Sequence, residues 1–346
     1  MKIVVAPDSF KECMDASDAA SVIADEIRRR HPGWSVVELP LSDGGEGFTE
    51  IASELLQGKL VPLTVTGPMG EATEACYARV GETAVMAVSS ACGLGLVPPG
   101  RRNPLLASSR GVGEMILSAF NAGCRKFFIG LGGTATCDGG DGMMSVPGIK
   151  KLSGKISITA LCDVTNPFLG PDGAARVFAP QKGADPAMVE ILENRMASVA
   201  GRILEETNVD VSHLPGAGAA GGMAGALAAY FGADIRPGID ALLDMAGYGE
   251  MVADADLVIT GEGCSDRQTL AGKVPLGVLK RSRTVPVVLL SGRIRDRKEL
   301  LEAGFRALCQ VTPDSVPLSE ALKKDVAESL LRKAVAGTGL LQLLEQ

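Results

Sequence analysis

Three segments of the sequence combine acidic residues with glycines, and a fourth combines an acid with a serine and a lysine. They are 8–11 (DSFK), 43–47 (DGGEG), 132–142 (GGTATCDGGDG) and 261–266 (GEGCSD). Glycines let backbone N–H groups approach an anion, but carboxylates beside them would repel phosphate unless a cation lies between. Because Mg²⁺ binds one or two carboxylates together with phosphate oxygens, these segments predict a site for phosphate and a metal ion.

The expected position of these segments supports that interpretation. Each follows or ends a short apolar run that is typical of a buried strand. In an open α/β sheet ligands bind beyond the carboxyl ends of the strands, so we expect the four segments to surround one pocket. A single D-G-G sequence is more often a turn than a ligand loop, and the prediction of a phosphoryl-transfer site therefore depends on all four.

An uncharged run rich in glycine and alanine extends from residue 216 to residue 233. Its beginning, 216–221 (GAGAAG), matches the G-x-G-x-x-G pattern, but it lacks the preceding strand and the later acid of a dinucleotide site. Dinucleotide binding, close helix packing and a phosphate-binding helix start that includes Gly218 are three alternatives. The run contains little leucine or isoleucine, so we expect a helix packed inside the protein and no membrane span.

Two lysines outside the four segments are further candidates for a binding site. The Gly272-Lys273 pair resembles the end of a phosphate loop, but Arg267 and Val274 do not fit that motif. Lys182 lies in an isolated Q-K-G sequence, which by itself is typical of an exposed loop. Neither lysine is assigned to a site by its local sequence alone.

The composition of the 346 residues excludes several classes of protein. The net charge is −7 and there is no basic stripe, which argues against nucleic acid as a partner. The eight cysteines form no C-x-x-C pair and there are only two histidines, which argues against a structural zinc site. Unpaired cysteines and the absence of a signal peptide lead us to expect a cytoplasmic protein.

Short apolar strands alternate with helical segments near both ends of the chain, which predicts an α/β fold with a parallel sheet covered on both faces. The middle of the chain has connections rich in glycine and proline. We therefore predict one doubly wound domain from residues 1–62 and 241–346. Residues 63–240 are predicted to form a second α/β domain inserted into the first.

A series of short blocks extends in order along nearly the whole chain. The blocks are 6–11 (APDSFK), 43–47 (DGGEG), 65–70 (VTGPMG), 102–106 (RNPLL), 132–136 (GGTAT), 138–140 (DGG), 162–164 (CDV), 166–167 (NP), 180–184 (PQKGA), 216–222 (GAGAAGG), 259–263 (ITGEG), Asp266, 268–269 (QT) and 272–275 (GKVP). In this order they resemble the bacterial glycerate kinases of the two-domain type. The resemblance implies a flavodoxin-like domain and an inserted domain similar to restriction endonucleases. It also implies phosphorylation of D-glycerate with ATP and Mg²⁺ in the cleft between two domains.

Phosphoryl transfer depends mainly on positioning and charge neutralisation, and this sets the roles that we expect for the acids and lysines. Asp43 or Asp138 would accept or orient the proton of the substrate hydroxyl. Lys11 and Lys273 would neutralise phosphate or the substrate carboxylate.

The remaining candidates would hold the metal ion and the nucleotide. Asp8, Glu262 or Asp266 would bind Mg²⁺, directly or through water. The candidates for the nucleotide are Ser9, Gly132, Gly133, Thr134, Lys182 and Gly218.

Several positions depart from the family pattern, and they support a second hypothesis. This alternative is a non-catalytic or altered-specificity member of the scaffold that binds a hydroxy acid or a nucleotide. The sequence leaves open which hydroxyl is phosphorylated and whether a homodimer forms. The departures are Glu12 and Cys13 in place of Gly-Ser, Ala87 in place of an acid, Cys92 in place of Ser, Arg110 in place of Tyr, Cys137 in place of Asn, and a short segment at 145–157.

Overall fold

The computed structural model describes residues 1–10, 13–42, 44–45 and 47–337. They form two compact units. The first contains residues from 1–43 and from 239 onwards, and the second contains residues from 44–238. No helix in the described part combines the length and the apolar character that a membrane span needs.

Strands and helices alternate along most of the described chain. The strands are β1 (Lys2–Val5), β2 (Ser35–Glu38), β3 (Lys59–Thr66), β4 (Ala72–Val80), β5 (Thr83–Ala87), β6 (Lys126–Gly130), β7 (Ser157–Leu161), β8 (Asp234–Arg236), β9 (Leu257–Ser265), β10 (Val287–Ile294) and β11 (Ala307–Gln310). The helices are α1 (Ala16–Arg30), α2 (Phe48–Leu55), α3 (Ser89–Cys92), α4 (Arg110–Asn121), α5 (Asp141–Met144), α6 (Ala174–Phe178), α7 (Pro186–Thr207), α8 (Met223–Phe231), α9 (Gly238–Met245), α10 (Tyr248–Val252), α11 (Val274–Arg281), α12 (Arg297–Glu302), α13 (Leu318–Ala321) and α14 (Lys324–Ala336).

The sheet of the first unit is parallel, with the strand order β2-β1-β9-β10-β11. Counted within this unit, the order is 2-1-3-4-5, which is that of flavodoxin-like folds. Each central strand begins with or contains an apolar run, because helices cover both faces of such a sheet. Val4, Ile259 and Leu289, one from each of three neighbouring strands, are fully buried.

Helix α1 shows how local sequence sets the bounds of an element. The side chain of Asp15 accepts a hydrogen bond from Asp18 N at 2.7 Å and so caps the first turn. At the other end, the carboxylate of Glu26 is buried and accepts hydrogen bonds from Arg29 Nε at 3.0 Å and from Arg30 Nε at 2.8 Å. The two guanidinium groups lower the pKa of Glu26 to about 2.

The substitution Glu26→Gln is expected to destabilise the protein at neutral pH and to matter less in acid. A lowered pKa in the folded state contributes stability above the ordinary carboxyl pKa of about 4.3, and this contribution is lost as the pH falls towards 2. Urea unfolding of both proteins at pH 7, 4.5 and 3 measures the difference in unfolding free energy. A difference that does not shrink with falling pH would contradict the assignment.

The sheet of the second unit has the order β3-β4-β5-β6-β7-β8. The pairs β3–β4 and β4–β5 are antiparallel, and the three remaining pairs are parallel. The predicted domain boundary after residue 62 falls inside β3. Residues 44–58 also belong to the second unit, because α2 packs on β4 and β5 and Thr49 Oγ1 accepts a hydrogen bond from Ala87 N at 3.0 Å.

The glycine- and alanine-rich run forms part of the core of the second unit. It contains α8, whose residues Met223 and Leu227 are fully buried. A Cβ atom on Gly225 would lie only 2.7 Å from Cδ2 of Phe168, so this position has room for glycine alone. Of the three alternatives for this run, close helix packing is therefore the one that the contacts support.

Candidate functional site

In the first unit, the candidate site lies at the carboxyl ends of β1, β9 and β10. Residues 261–265 were expected to form a loop but continue β9 instead. They pair with β10, with Gly261 beside Leu290, Glu262 beside Ser291 and Ser265 beside Ile294. Asp8 N donates a hydrogen bond to Gly261 O at 2.8 Å and so holds the end of β1 against this strand. The strand pairing therefore fixes the acids of this site on a rigid sheet edge.

Glu262 is the most enclosed acid of this group, with 5% of its surface exposed. Its Oε1 accepts hydrogen bonds from Ser265 Oγ at 2.8 Å and from Thr269 Oγ1 at 2.5 Å. Its Oε2 lies 3.6 Å from Lys273 Nζ. The two hydroxyl groups thus orient the carboxylate, and the lysine compensates part of its charge.

A cavity of about 320 Å³ opens in front of these residues. Asp8, Ser9, Glu262 and Lys273 all line it, so the structure brings four predicted residues together. Arg293, which sequence reasoning missed, lines it as well. The Nε atom of Arg293 is buried and has no hydrogen-bond partner among the described residues. In the sequence, the one indication that Arg293 could belong to a binding site is its position at the end of an apolar strand.

The acids of this cavity fit a metal ion only together with ligand oxygens. Within the described ranges, no three side chains of the His, Cys, Asp and Glu types lie close enough to hold a metal by themselves. Asp8 and Glu262 both line the cavity, whereas Asp266 lies in the turn after β9 and its Oδ1 accepts a hydrogen bond from Gln268 N at 2.8 Å. Two carboxylates plus phosphate oxygens suit Mg²⁺, and the orphaned donor of Arg293 suits an anion.

In the second unit, the loop that follows β6 packs against the segment that contains Gly44 and Gly45. A Cβ atom on Gly130 would lie 2.3 Å from Gly44 O, so glycine is required for this approach. The N–H groups of Gly132 and Gly133 make no hydrogen bond with any residue that the structure describes. They are therefore available to an anion.

Asp138 lies in the same loop and is held by four hydrogen bonds. Its Oδ2 accepts from Ser109 N and Ser109 Oγ, both at 2.8 Å, and from Gly142 N at 3.2 Å. Among the residues that the structure describes, its Oδ1 accepts only from Gly140 N, at 3.1 Å. Burial raises the pKa of Asp138, although these hydrogen bonds oppose the shift. A carboxylate with a raised pKa and one less engaged oxygen is a suitable acceptor for a hydroxyl proton.

Lys182 contradicts the expectation of an exposed loop, because only 4% of its surface is exposed. Its Nζ donates to Thr134 Oγ1 at 3.1 Å and to Thr136 O at 2.7 Å. Burial lowers the pKa of Lys182, and the neighbouring Cys137, Cys92 and Asp138 partly oppose this effect. The lysine therefore holds the conformation of the loop that contains Thr134 and is not exposed to a nucleotide.

Three other predicted site residues are not assigned to either of these groups. Lys11 and Asp43 lie outside the described residues. Gly218 is a correction: it is buried, and its N–H donates to Asn166 O at 3.0 Å, so this donor is not available to a nucleotide. The G-x-G-x-x-G pattern at this point reflects close packing of the chain.

Four of the described positions that depart from the family pattern lie in the core or in an ion pair. Cys92 and Cys137 are buried, and burial raises the pKa of their thiols to about 12 and about 11. Ala87 is buried at the end of β5. Arg110 Nε donates to Glu114 Oε1 at 3.0 Å. The two cysteines therefore act as small apolar residues and not as nucleophiles.

The chain is similar to known glycerate kinases over nearly its whole length. A family model described as the glycerate kinase family matches residues 3–155 and 145–341. The glycerate kinase of Bacillus subtilis (strain 168) is 38% identical over 367 residues, covering 96% of each chain. The glycerate 2-kinase of Escherichia coli (strain K12) is 39% identical over 356 residues, covering 93% of each. A crystal structure assigned as glycerate kinase 2 of Salmonella typhimurium LT2 has a TM-score of 0.87 and 38% identity, and the match covers 100% of this chain and 99% of that one.

Proposed function

The chain belongs to the glycerate kinase family, and from this premise we propose that it transfers the terminal phosphoryl group of ATP to a hydroxyl group of D-glycerate. The family and the α/β fold class predicted from the sequence are confirmed. The observation that carries the proposal is the cavity of the first unit, where the buried Glu262 faces Lys273 and the Arg293 Nε donor lacks a partner among the described residues.

The first unit supplies the residues for the nucleotide phosphates. Lys273 and Arg293 would neutralise phosphate charge, with the Ser9 hydroxyl beside them. Asp8 and Glu262 would hold Mg²⁺, which would compensate the negative charge of the phosphate groups. Because the hydroxyl groups of Ser265 and Thr269 already orient Glu262, this carboxylate needs little rearrangement when the ion binds.

The second unit supplies an acceptor for the hydroxyl proton and further donors for phosphate oxygens. The N–H groups of Gly132 and Gly133 would bind an anionic oxygen, and the Thr134 hydroxyl is kept in place by Lys182. Asp138 would accept or orient the proton of the attacking hydroxyl through Oδ1. The relative from Escherichia coli is named a glycerate 2-kinase, which supports the 2-hydroxyl as the acceptor.

A coupled assay of ADP release with ATP, Mg²⁺ and D-glycerate tests the proposal. Turnover is the expected result, and ³¹P and ¹³C NMR of the product would identify the hydroxyl that is phosphorylated. Binding of glycerate without ADP release, across a panel of hydroxy acids, would overturn the kinase proposal in favour of the non-catalytic alternative. A cytoplasmic location and a homodimer stay predictions from the sequence.

The substitution Asp138→Asn is expected to reduce kcat by at least about 100-fold, since an amide cannot accept the hydroxyl proton. It should also lower the unfolding free energy by about 1–3 kcal/mol, because an amide NH₂ group would face either Gly140 N or the donors at Oδ2. Steady-state activity assays measure the change in kcat, and urea unfolding measures the change in unfolding free energy. Near-normal turnover in the folded variant would remove Asp138 from the reaction.

A further inference from the structure

A second cavity, of about 280 Å³, lies within the second unit. Its walls come from one side of α7, from the chain before α4 and from the loop after β6. Arg195 and Arg202 line it from α7, Asp138 from the loop after β6 and Asp141 from the start of α5. Its volume lies near the lower end of the range for ligand pockets, about 300–1,000 Å³, so it suits a small molecule.

Both arginines have N–H groups that make no hydrogen bond with a described residue. Arg195 Nη1 donates to Leu105 O at 2.9 Å, and Arg202 Nη2 donates to Asp141 Oδ1 at 2.6 Å. Among the described residues these are the only hydrogen bonds of the two side chains, and each guanidinium carries five N–H groups. Both side chains are exposed, and among the described residues only Arg202 forms an ion pair, so Arg195 presents its charge at the cavity without an ion-pair partner.

The spacing of the arginines matches one small anion. Seven residues span about two helical turns, or about 10.5 Å along α7, and therefore place both side chains on the same side of the helix. Long side chains converging from this distance can bind the two oxygens of one carboxylate. Guanidinium groups are well suited to this because their planar N–H pairs match carboxylate geometry.

The cavity also contains an acceptor. Within the described chain, Asp138 Oδ1 accepts a single hydrogen bond, from Gly140 N, so it retains capacity for a hydroxyl donor. Pro104, Ala107 and Met196 contribute apolar surface to the lining. The cavity thus has a cationic side, an acceptor and a short apolar wall.

We propose that this cavity binds the acceptor substrate as a small hydroxylated carboxylic acid, with its carboxylate on Arg195 and Arg202 and its hydroxyl on Asp138. The inference rests on the proposed function and adds two specificity-determining residues to it. The anion donors Gly132 and Gly133 are then left for phosphate oxygens. The requirement for a carboxylate follows from the arginines, and the requirement for a hydroxyl follows from Asp138.

Binding of D-glycerate to the full-length protein without nucleotide, measured by calorimetry, tests the inference. The double variant Arg195→Ala/Arg202→Ala should raise Kd by at least about 30-fold, since each charge-assisted hydrogen bond contributes about 1.5–3 kcal/mol. Because Arg195 also holds Leu105 O, the single variant Arg202→Ala is measured as well and should raise Kd by about 10-fold. Glycerol, which lacks the carboxylate, should bind weakly and equally to all variants.

Arg176→Ala is the matched control, because Arg176 is an arginine of the same unit whose guanidinium pairs with Glu190 away from the cavity. It should leave the Kd of D-glycerate unchanged. An unchanged Kd in the folded double variant would overturn the inference while leaving the proposed function intact. Absence of ADP release by the wild type would instead refute the proposed function, and the binding data would still decide the site.

Discussion

Replacing Glu262 by Gln is expected to reduce kcat/KM for phosphoryl transfer by at least about 100-fold while the protein stays folded. A glutamine keeps the shape of the side chain and one acceptor for Ser265 and Thr269. It removes the negative charge that lies 3.6 Å from Lys273 and that would hold Mg²⁺. A 100-fold loss corresponds to about 2.7 kcal/mol, which is within the several kcal/mol that a correctly held metal ion contributes.

Steady-state assays at increasing Mg²⁺ concentration make the test specific. The variant should require more Mg²⁺ for half-maximal rate, whereas a purely structural role for Glu262 would leave this requirement unchanged. The control is Glu302→Gln, since Glu302 is an exposed glutamate of the same unit that pairs with Lys298, at 3.7 Å. If Glu262→Gln and Glu302→Gln had equal turnover, Glu262 would not belong to the site.

Lys182→Met is expected to lower the unfolding free energy by about 1–3 kcal/mol and to reduce turnover. Methionine fills similar space but leaves the buried acceptors Thr134 Oγ1 and Thr136 O without their donor. The loop that presents Gly132 and Gly133 then loses its anchor. Lys155→Met, at an exposed lysine of the same unit, should change neither quantity by a comparable amount.

The effect of Lys182 on stability should depend on pH in a defined direction. Burial lowers its pKa below the ordinary value of about 10.4, so between these two values the unfolded chain binds a proton that the folded protein does not. Unfolding free energy therefore rises with pH in this window. Cys92, Cys137 and Asp138 face the amine, and they are common to wild type and variant, so their own titration largely cancels in the difference.

Urea unfolding of wild type and Lys182→Met between pH 7 and pH 10 measures this difference. The wild type should gain stability relative to the variant as the pH rises. A difference that stays flat over the whole range would show that the amine keeps its proton in the folded protein. Lys182 would then be a buried charge stabilised by the loop, and the lowered pKa inferred from its burial would be wrong.

Patterns within short stretches of sequence were sufficient to indicate the α/β class of the first unit. The period of apolar residues and the turn-forming glycines indicate strands of a parallel sheet, whereas the flavodoxin-like arrangement was implied by the family resemblance. The same reasoning placed α2 in the first domain, because it follows β2 in a regular strand–helix rhythm. In the structure α2 packs on β4 and β5 instead, and those partners lie further along the chain.

Some residues of the candidate site were also indicated by the sequence, and others were found only in the tertiary structure. The order of acids, glycines and lysines along the chain indicated the family and four of the residues that line the first cavity, Asp8, Ser9, Glu262 and Lys273. The tertiary structure alone decided that Lys182 is buried, because its partners Thr134 and Thr136 are 48 and 46 residues away. It also decided that Arg293 and Arg195 face cavities and that the N–H of Gly218 is already used. The physical reason is that burial and hydrogen-bond pairing depend on contacts between distant segments, whereas turn chemistry and hydrophobic period are local properties of the sequence.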